Sequence, residues 1–200
     1  MQRLNYLHIE KTQQPHAHGW HDKHMLVLHE TVTKDMPGLN DIVLVEKELA
    51  SRDYGIHGMN DAEGNMAWAY NCGLAVFWHA GGVNLVSCGI EQVSLIPALI
   101  GNGTITREQG YKYWLARTLQ LTATAKMIAA WHNTVPKERP IRYCDGSGNH
   151  PGVTSHFNVS QHHPESQGHW DCQPHDQGGH YPLGHVIQLA QSMVSFGYRF

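Results

Sequence analysis

Seventeen histidines stand in this 200-residue chain, against 14 lysines and arginines together. Imidazole titrates near neutrality and is the commonest protein ligand of transition metals, so the excess points to metal chemistry. The histidines fall in two groups. His16, His18, His21, His24 and His29 come early; His150, His156, His162, His163, His169, His175, His180 and His185 come late. Groups this far apart in sequence can close around one ion once the chain is folded. His16 to His24 read as part of a solvated arm rather than as a second metal site. The four cysteines, Cys72, Cys88, Cys144 and Cys172, form no CxxC pair and are expected to be free thiols. There is no HExxH helix motif and no GxSxG nucleophile elbow, so a helix-based metalloprotease and an α/β-hydrolase both lack support.

Rigid elements must hold such ligands. Residues 1–24 read as a polar, irregular arm and residues 25–200 as one domain. Met25 to Val32 is a short apolar run ending in polar residues, the pattern of a buried strand, with His29 at its end. Glu30, one position on, should point to the opposite face. Asn40 can cap a helix over 41–51. Residues 54–59 and 65–70 read as hairpin partners about the turn at Asp61 to Gly64, and residues 74–78 and 86–93 as further strands. A helix is expected over 106–132, opened by the capping-box pair Thr106 and Gln109. A short strand over 141–144 follows, then a Gly/His/Pro-rich stretch over 145–182, and a last helix over 182–195. Strands alternating with helices argue for a mixed α/β domain.

The composition narrows the function classes. A net charge of −3 gives no basis for capture of nucleic acid. No apolar run approaches the roughly 20 residues of a membrane span, so no membrane insertion is expected. The first residues lack the basic-then-apolar order of a secretory signal.

Several segments together carry a more specific message. Phe77-Trp78-His79-Ala80-Gly81 is followed by Asn84 and by Ser87-Cys88-Gly89-Ile90-Glu91, and His57 lies seven residues before Gly64. The run LVLHET precedes them; Gly152-Val-Thr-Ser-His156 and His169-Trp170-Asp171-Cys172-Gln173-Pro174 come after. In this order the segments resemble the zinc-dependent N-acetylmuramoyl-L-alanine amidases of the type 2 amidase and peptidoglycan recognition protein family. That family carries a ligand His ending its first core strand, an AWHAG segment, N-x-x-S-I-G-I-E, G-x-x-x-H and a closing K-x-D-P-G-P. The resemblance spans Leu26 to Pro174. It departs in the last motif, where His169 replaces the Lys and Cys172-Gln173 replaces Pro-Gly.

The resemblance implies a mixed central β-sheet flanked by helices, with a zinc ion in a groove. It implies His29 and His156 as imidazole ligands and Asp171 as the third, with Cys172 as the alternative because some members use a Cys. A catalytic zinc takes three protein ligands and keeps a fourth position for water. Glu91 is implied as the proton carrier, and His169, in the place of the family's Lys, as an oxyanion donor. His57, Trp78, His79 and Asn84 are implied to line the substrate site. Without the resemblance, Glu91 reads as a solvated strand-end charge, His79 as a packed core residue, and His57 equally as structural. The implied partner is bacterial peptidoglycan, through N-acetylmuramic acid and the stem peptide. A phage endolysin made in the host cytoplasm and acting on the wall after release fits the missing signal. A longer lysin would add a cell-wall-binding domain, and none is visible in these residues. A non-catalytic peptidoglycan-binding module and a muropeptide-recycling amidase are the alternatives.

Overall fold

The computed structural model describes residues 15, 17–18, 22–32 and 40–196. In chain order the strands are β1 (Ala17–His18), β2 (Met25–Glu30), β3 (Gly58–Asn60), β4 (Met66–Trp68), β5 (Ala75–Val76), β6 (Ser87–Gln92) and β7 (Gly152–Ser155). The helices are α1 (Asn40–Ser51), α2 (Ile96–Gly101), α3 (Arg107–Ala116), α4 (Thr118–Thr134), α5 (His156–His162) and α6 (Leu183–Ser195). Five strands form the central sheet in the order β4-β3-β6-β2-β7. β6 lies in its middle between β3 and β2, β2 also pairs with β7, and these pairings are parallel, while the short β4 edge is antiparallel. The architecture is the expected mixed sheet flanked by helices.

Strand alternation sorts side chains to two faces. Leu26 and Leu28 of β2 and Cys88 and Ile90 of β6 turn to the back, where they pack with Trp114, Leu121, Ile128 and Val186 from α3, α4 and α6. Met25 and Val27 turn to the front, against Ala80, Val83 and Val159. On the front as well, Ile42 and Val45 of α1 pack on Ile56, Met59 and Ala67. His29 and Glu91 are register partners and share the front face; Glu30 and Gln92 share the back.

Several elements differ from the sequence reading. The region 106–132 holds two helices. Arg117 breaks them with φ −83° and ψ 55°. Its guanidinium donates to Val93 O and Gln120 Oε1, and these ties replace helical continuity. The strand expected at 141–144 is reduced to one bridge, Tyr143 to Val153, and that at 74–78 to the two residues of β5. The stretch 145–182 is structured by β7, α5 and two 3-10 turns. The amino-terminal arm is partly built into the fold: β1 pairs with β5, and Lys23 is fully buried. His24 donates from Nε2 to Gly148 O at 3.1 Å. His16, His21 and the side chain of His18 lie outside the described residues.

Candidate active site

The site forms where parallel strands end. His29 is the fifth residue of β2, and His156 opens α5 directly after β7. The Ser155 side chain accepts from Asn158 N–H and caps α5, so the helix starts at the sheet edge and fixes His156 there. Asp171 arrives from the turn after the 3-10 segment Pro164–Ser166, and its carbonyl accepts from Phe157 N–H at 3.3 Å. The carboxylate Oδ2 lies 3.5 Å from His29 Nδ1 and 3.3 Å from His156 Nδ1. One donor atom from each residue falls within a 4.8 Å cluster. His29, His156 and Asp171 therefore form a group able to hold a metal ion.

The hydrogen bonds behind His29 fix its tautomer. Ser87 Oγ donates to Val83 O at 2.7 Å, which leaves the hydroxyl oxygen to accept from His79 Nε2 at 3.1 Å. His79 Nδ1 must then accept from His29 Nε2 at 3.1 Å. The proton of His29 points away from the cluster, and the Nδ1 lone pair points into it. Burial, then repulsion from His156, lowers the His29 pKa to about 4 and keeps the ring neutral. Burial alone would raise the Asp171 carboxyl, but His156 and then His169 outweigh it and hold it well below the usual carboxylate range. A neutral imidazole lone pair facing an ionised carboxylate oxygen at 3.5 Å is a cation's donor set. His156 is held on its far side by Ser166, whose Oγ lies 2.8 Å from Nε2.

Around this cluster runs a groove of about 700 Å³. Trp78, 54% exposed, lines it together with Asn84, Leu49 of α1, Arg52 and Tyr54. Glu91 is buried and lines the groove beside His29. Burial, followed by the charges of Asp171 and Glu30, pushes its carboxyl well above the usual range. His169 is half-exposed, stacks on His156 at 3.8 Å between centroids, and brings Nδ1 to 3.5 Å from Asp171 Oδ1. Its hydrogen bond to Asp171 raises its pKa. Asn84 Oδ1 accepts from His79 N–H at 3.0 Å and Ala80 N–H at 2.9 Å, and so shapes the turn that carries Trp78 and His79. Gly81, with φ +55°, is required in that turn: a Cβ there would stand 2.9 Å from Ser166 Cβ, and Ser166 has to approach to reach His156.

Two expected site residues stand elsewhere. His57 is fully buried behind the turn and does not line the groove. Its Nδ1 accepts from Gly89 N–H at 3.0 Å, and Nε2 donates to Ala75 O at 3.0 Å beside Lys23 Nζ. Burial and then the Lys23 charge lower its pKa to about 3. Cys172 is also fully buried, with Sγ accepting from Gln92 Nε2 at 3.3 Å on the back of the sheet. Burial, then the Glu30 charge, raises its thiol well above the usual range, so it is held as a neutral thiol. Asp171, not Cys172, faces the two imidazoles. Of the residues that brace His79 and His156, Ser87 stood in the N-x-x-S segment without an assigned role, and Ser166 had no signal in the sequence beyond being a single polar residue.

In sequence, the chain matches no protein-family model and no curated protein. Solved structures do resemble it. One is the N-acetylmuramoyl-L-alanine amidase LysC from Clostridium intestinale URNW, with a TM-score of 0.52 and 13% identity over 100% of both chains. Another is the Staphylococcus aureus hydrolase AmiA in complex with its ligand, with a TM-score of 0.57 and 15% identity over 96% of this chain and 83% of that one. A third is the endolysine amidase LysCS from Clostridium intestinale URNW, with a TM-score of 0.53 and 14% identity over 100% of this chain and 98% of that one. The chain thus has, over essentially its whole length, the fold of the type 2 N-acetylmuramoyl-L-alanine amidases.

Proposed function

We propose that this protein is a zinc-dependent N-acetylmuramoyl-L-alanine amidase that cleaves bacterial peptidoglycan, and that it serves as a phage endolysin. The observation that carries the reading is the convergence of His29, His156 and Asp171 at the floor of a groove with Glu91 beside them. Those three residues would hold the zinc. When bound, zinc supplies a Lewis acid that polarises an amide carbonyl and eases deprotonation of water.

The chain's own residues do the rest. Trp78, Asn84, Tyr54 and Arg52, which line the groove, hold the sugar and stem peptide. His79 keeps the His29 lone pair aimed inward. Glu91 takes a proton from the attacking water as its oxygen bonds to the lactyl carbonyl carbon. His169 donates an N–H to the oxygen that gains charge as that carbon becomes tetrahedral. The carbon–nitrogen bond then breaks, and Glu91 returns the proton to the leaving nitrogen. The products are the lactyl carboxylate and a free L-alanine amino terminus.

Two variants test this division of roles. Glu91→Gln should keep zinc content at wild-type level and lower kcat by about 10²–10⁴-fold, the usual contribution of a general base. Retention of most wall-degrading activity would remove Glu91 from the mechanism. His169→Ala should lower kcat by about 10²–10³-fold, while His169→Lys, which restores a donor, retains more. Equal activity of the two variants would count against a donor role.

A further inference from the structure

Behind the metal cluster lies a second carboxylate that the chemistry above does not use. Glu30 follows the ligand His29 on β2, and strand alternation sends it to the back of the sheet, where it is buried. Three donors converge on it. Oε1 accepts from Trp114 Nε1 at 2.8 Å; Oε2 accepts from Cys172 N–H at 2.6 Å and from His180 Nε2 at 2.8 Å.

The Cys172 contact joins two distant pieces of the site. Cys172 follows Asp171 and has φ +53°, a left-handed backbone that persists in a non-glycine residue only where its surroundings impose it. Here they do so from two sides. Glu30 holds the N–H, and Gln92 Nε2 donates to Sγ while also donating to the carbonyl of His29 at 3.3 Å. The turn that carries one metal-ligand candidate is thereby fastened to the strand that carries another.

We infer that Glu30 is the positioning residue of the metal site: by accepting the Cys172 N–H it locks the 171–172 turn against the end of β2, so that the Asp171 carboxylate faces the imidazoles and the Cys172 thiol faces away. This rests on the reading of His29, His156 and Asp171 as metal ligands. A carboxylate suits the task because it only accepts, and three donors need two accepting oxygens. A glutamine would set its NH₂ against an N–H whichever way it turned. An aspartate is one methylene too short to keep all three bonds.

The test is zinc affinity, measured by chelator competition, for wild type, Glu30→Gln, Asp171→Asn and the double variant. Glu30→Gln should weaken zinc binding by about 10- to 100-fold, the range for a residue that orients a ligand. In the Asp171→Asn background it should change affinity less than about twofold, because its effect runs through Asp171. An equal loss in both backgrounds would show a general structural role and overturn the inference, as would wild-type affinity in Glu30→Gln. If Glu30→Gln does not fold, Glu30→Asp takes its place under the same criteria. A wild-type protein that binds no zinc would overturn the metal reading and this inference together. Zinc binding by wild type with no effect of the Glu30 variants would overturn the inference alone.

Discussion

At the scale of single residues, the site is a set of hydrogen-bond polarities. Val83 O can only accept, and this orders the proton positions of Ser87, His79 and His29 in turn. Replacing His79 by Phe would fill its volume but free His29 Nε2, and zinc affinity should fall about 10-fold or more; an unchanged affinity would show that the ring only packs. The third ligand can be separated by mutation. Asp171→Asn should weaken zinc binding sharply while leaving it measurable by chelator competition, and Cys172→Ser should leave affinity near wild type; the reverse pattern would assign the thiol. A third prediction concerns His57, held neutral with a pKa of about 3 against about 6.5 when exposed. Its contribution is full above about pH 6.5. It is lost as the pH falls toward 3, because the unfolded chain then binds a proton that the folded chain does not. The slope is up to ~1.4 kcal/mol per pH unit. Urea unfolding at pH 7 and pH 5 should show a smaller acid loss for His57→Gln than for wild type; equal losses would contradict the assignment. The ligand candidates and Glu91 were legible because they sit in ordered motifs. The partners of Ser87, Ser166 and Glu30 were not, since a polar side chain acquires its partner only through the fold, even where, as for Ser87 and Glu30, the residue stands in a motif.

At the scale of elements, the sheet was more legible than the connections. β2 opens on the apolar run Met25 to Leu28, and β2 and β6 are both buried on both faces, as parallel strands are. The capping box at Thr106 is present, with Thr106 Oγ1 accepting from Gln109 N–H and Gln109 Oε1 accepting from Thr106 N–H. Thr106→Ala should cost about 1 kcal/mol in chemical denaturation; no change would mean that α3 is held by packing alone. The break at Arg117 was not legible, because helical spacing continues through it and only the contacts with Val93 and Gln120 interrupt it. The stretch 145–182 was hardest to read. α5 has seven residues and little apolar periodicity, so its helix is set by the Ser155 cap and by its place at the end of β7. That cap delivers His156 to the groove.

At the scale of the whole molecule, two crossings of the same sheet end meet. β2 brings His29, β7 with α5 brings His156, and the following turn brings Asp171, at the carboxyl ends of parallel strands where α/β sheets commonly bind ligands. Among the described residues no helix is long and apolar enough to cross a membrane. The groove crosses the front of the sheet between α1 and the Trp78 turn. The fold is held in common with solved amidases at 13–15% identity, so packing preserves it while most side chains differ. Mass spectrometry of purified peptidoglycan digested by the zinc-loaded protein reads out the proposed cleavage of the lactyl–L-alanine amide itself. The expected result is stem peptides released with free L-alanine amino termini and glycan strands bearing intact lactyl carboxylates. New reducing sugar ends, cuts within the stem peptide, or no product at all would contradict it.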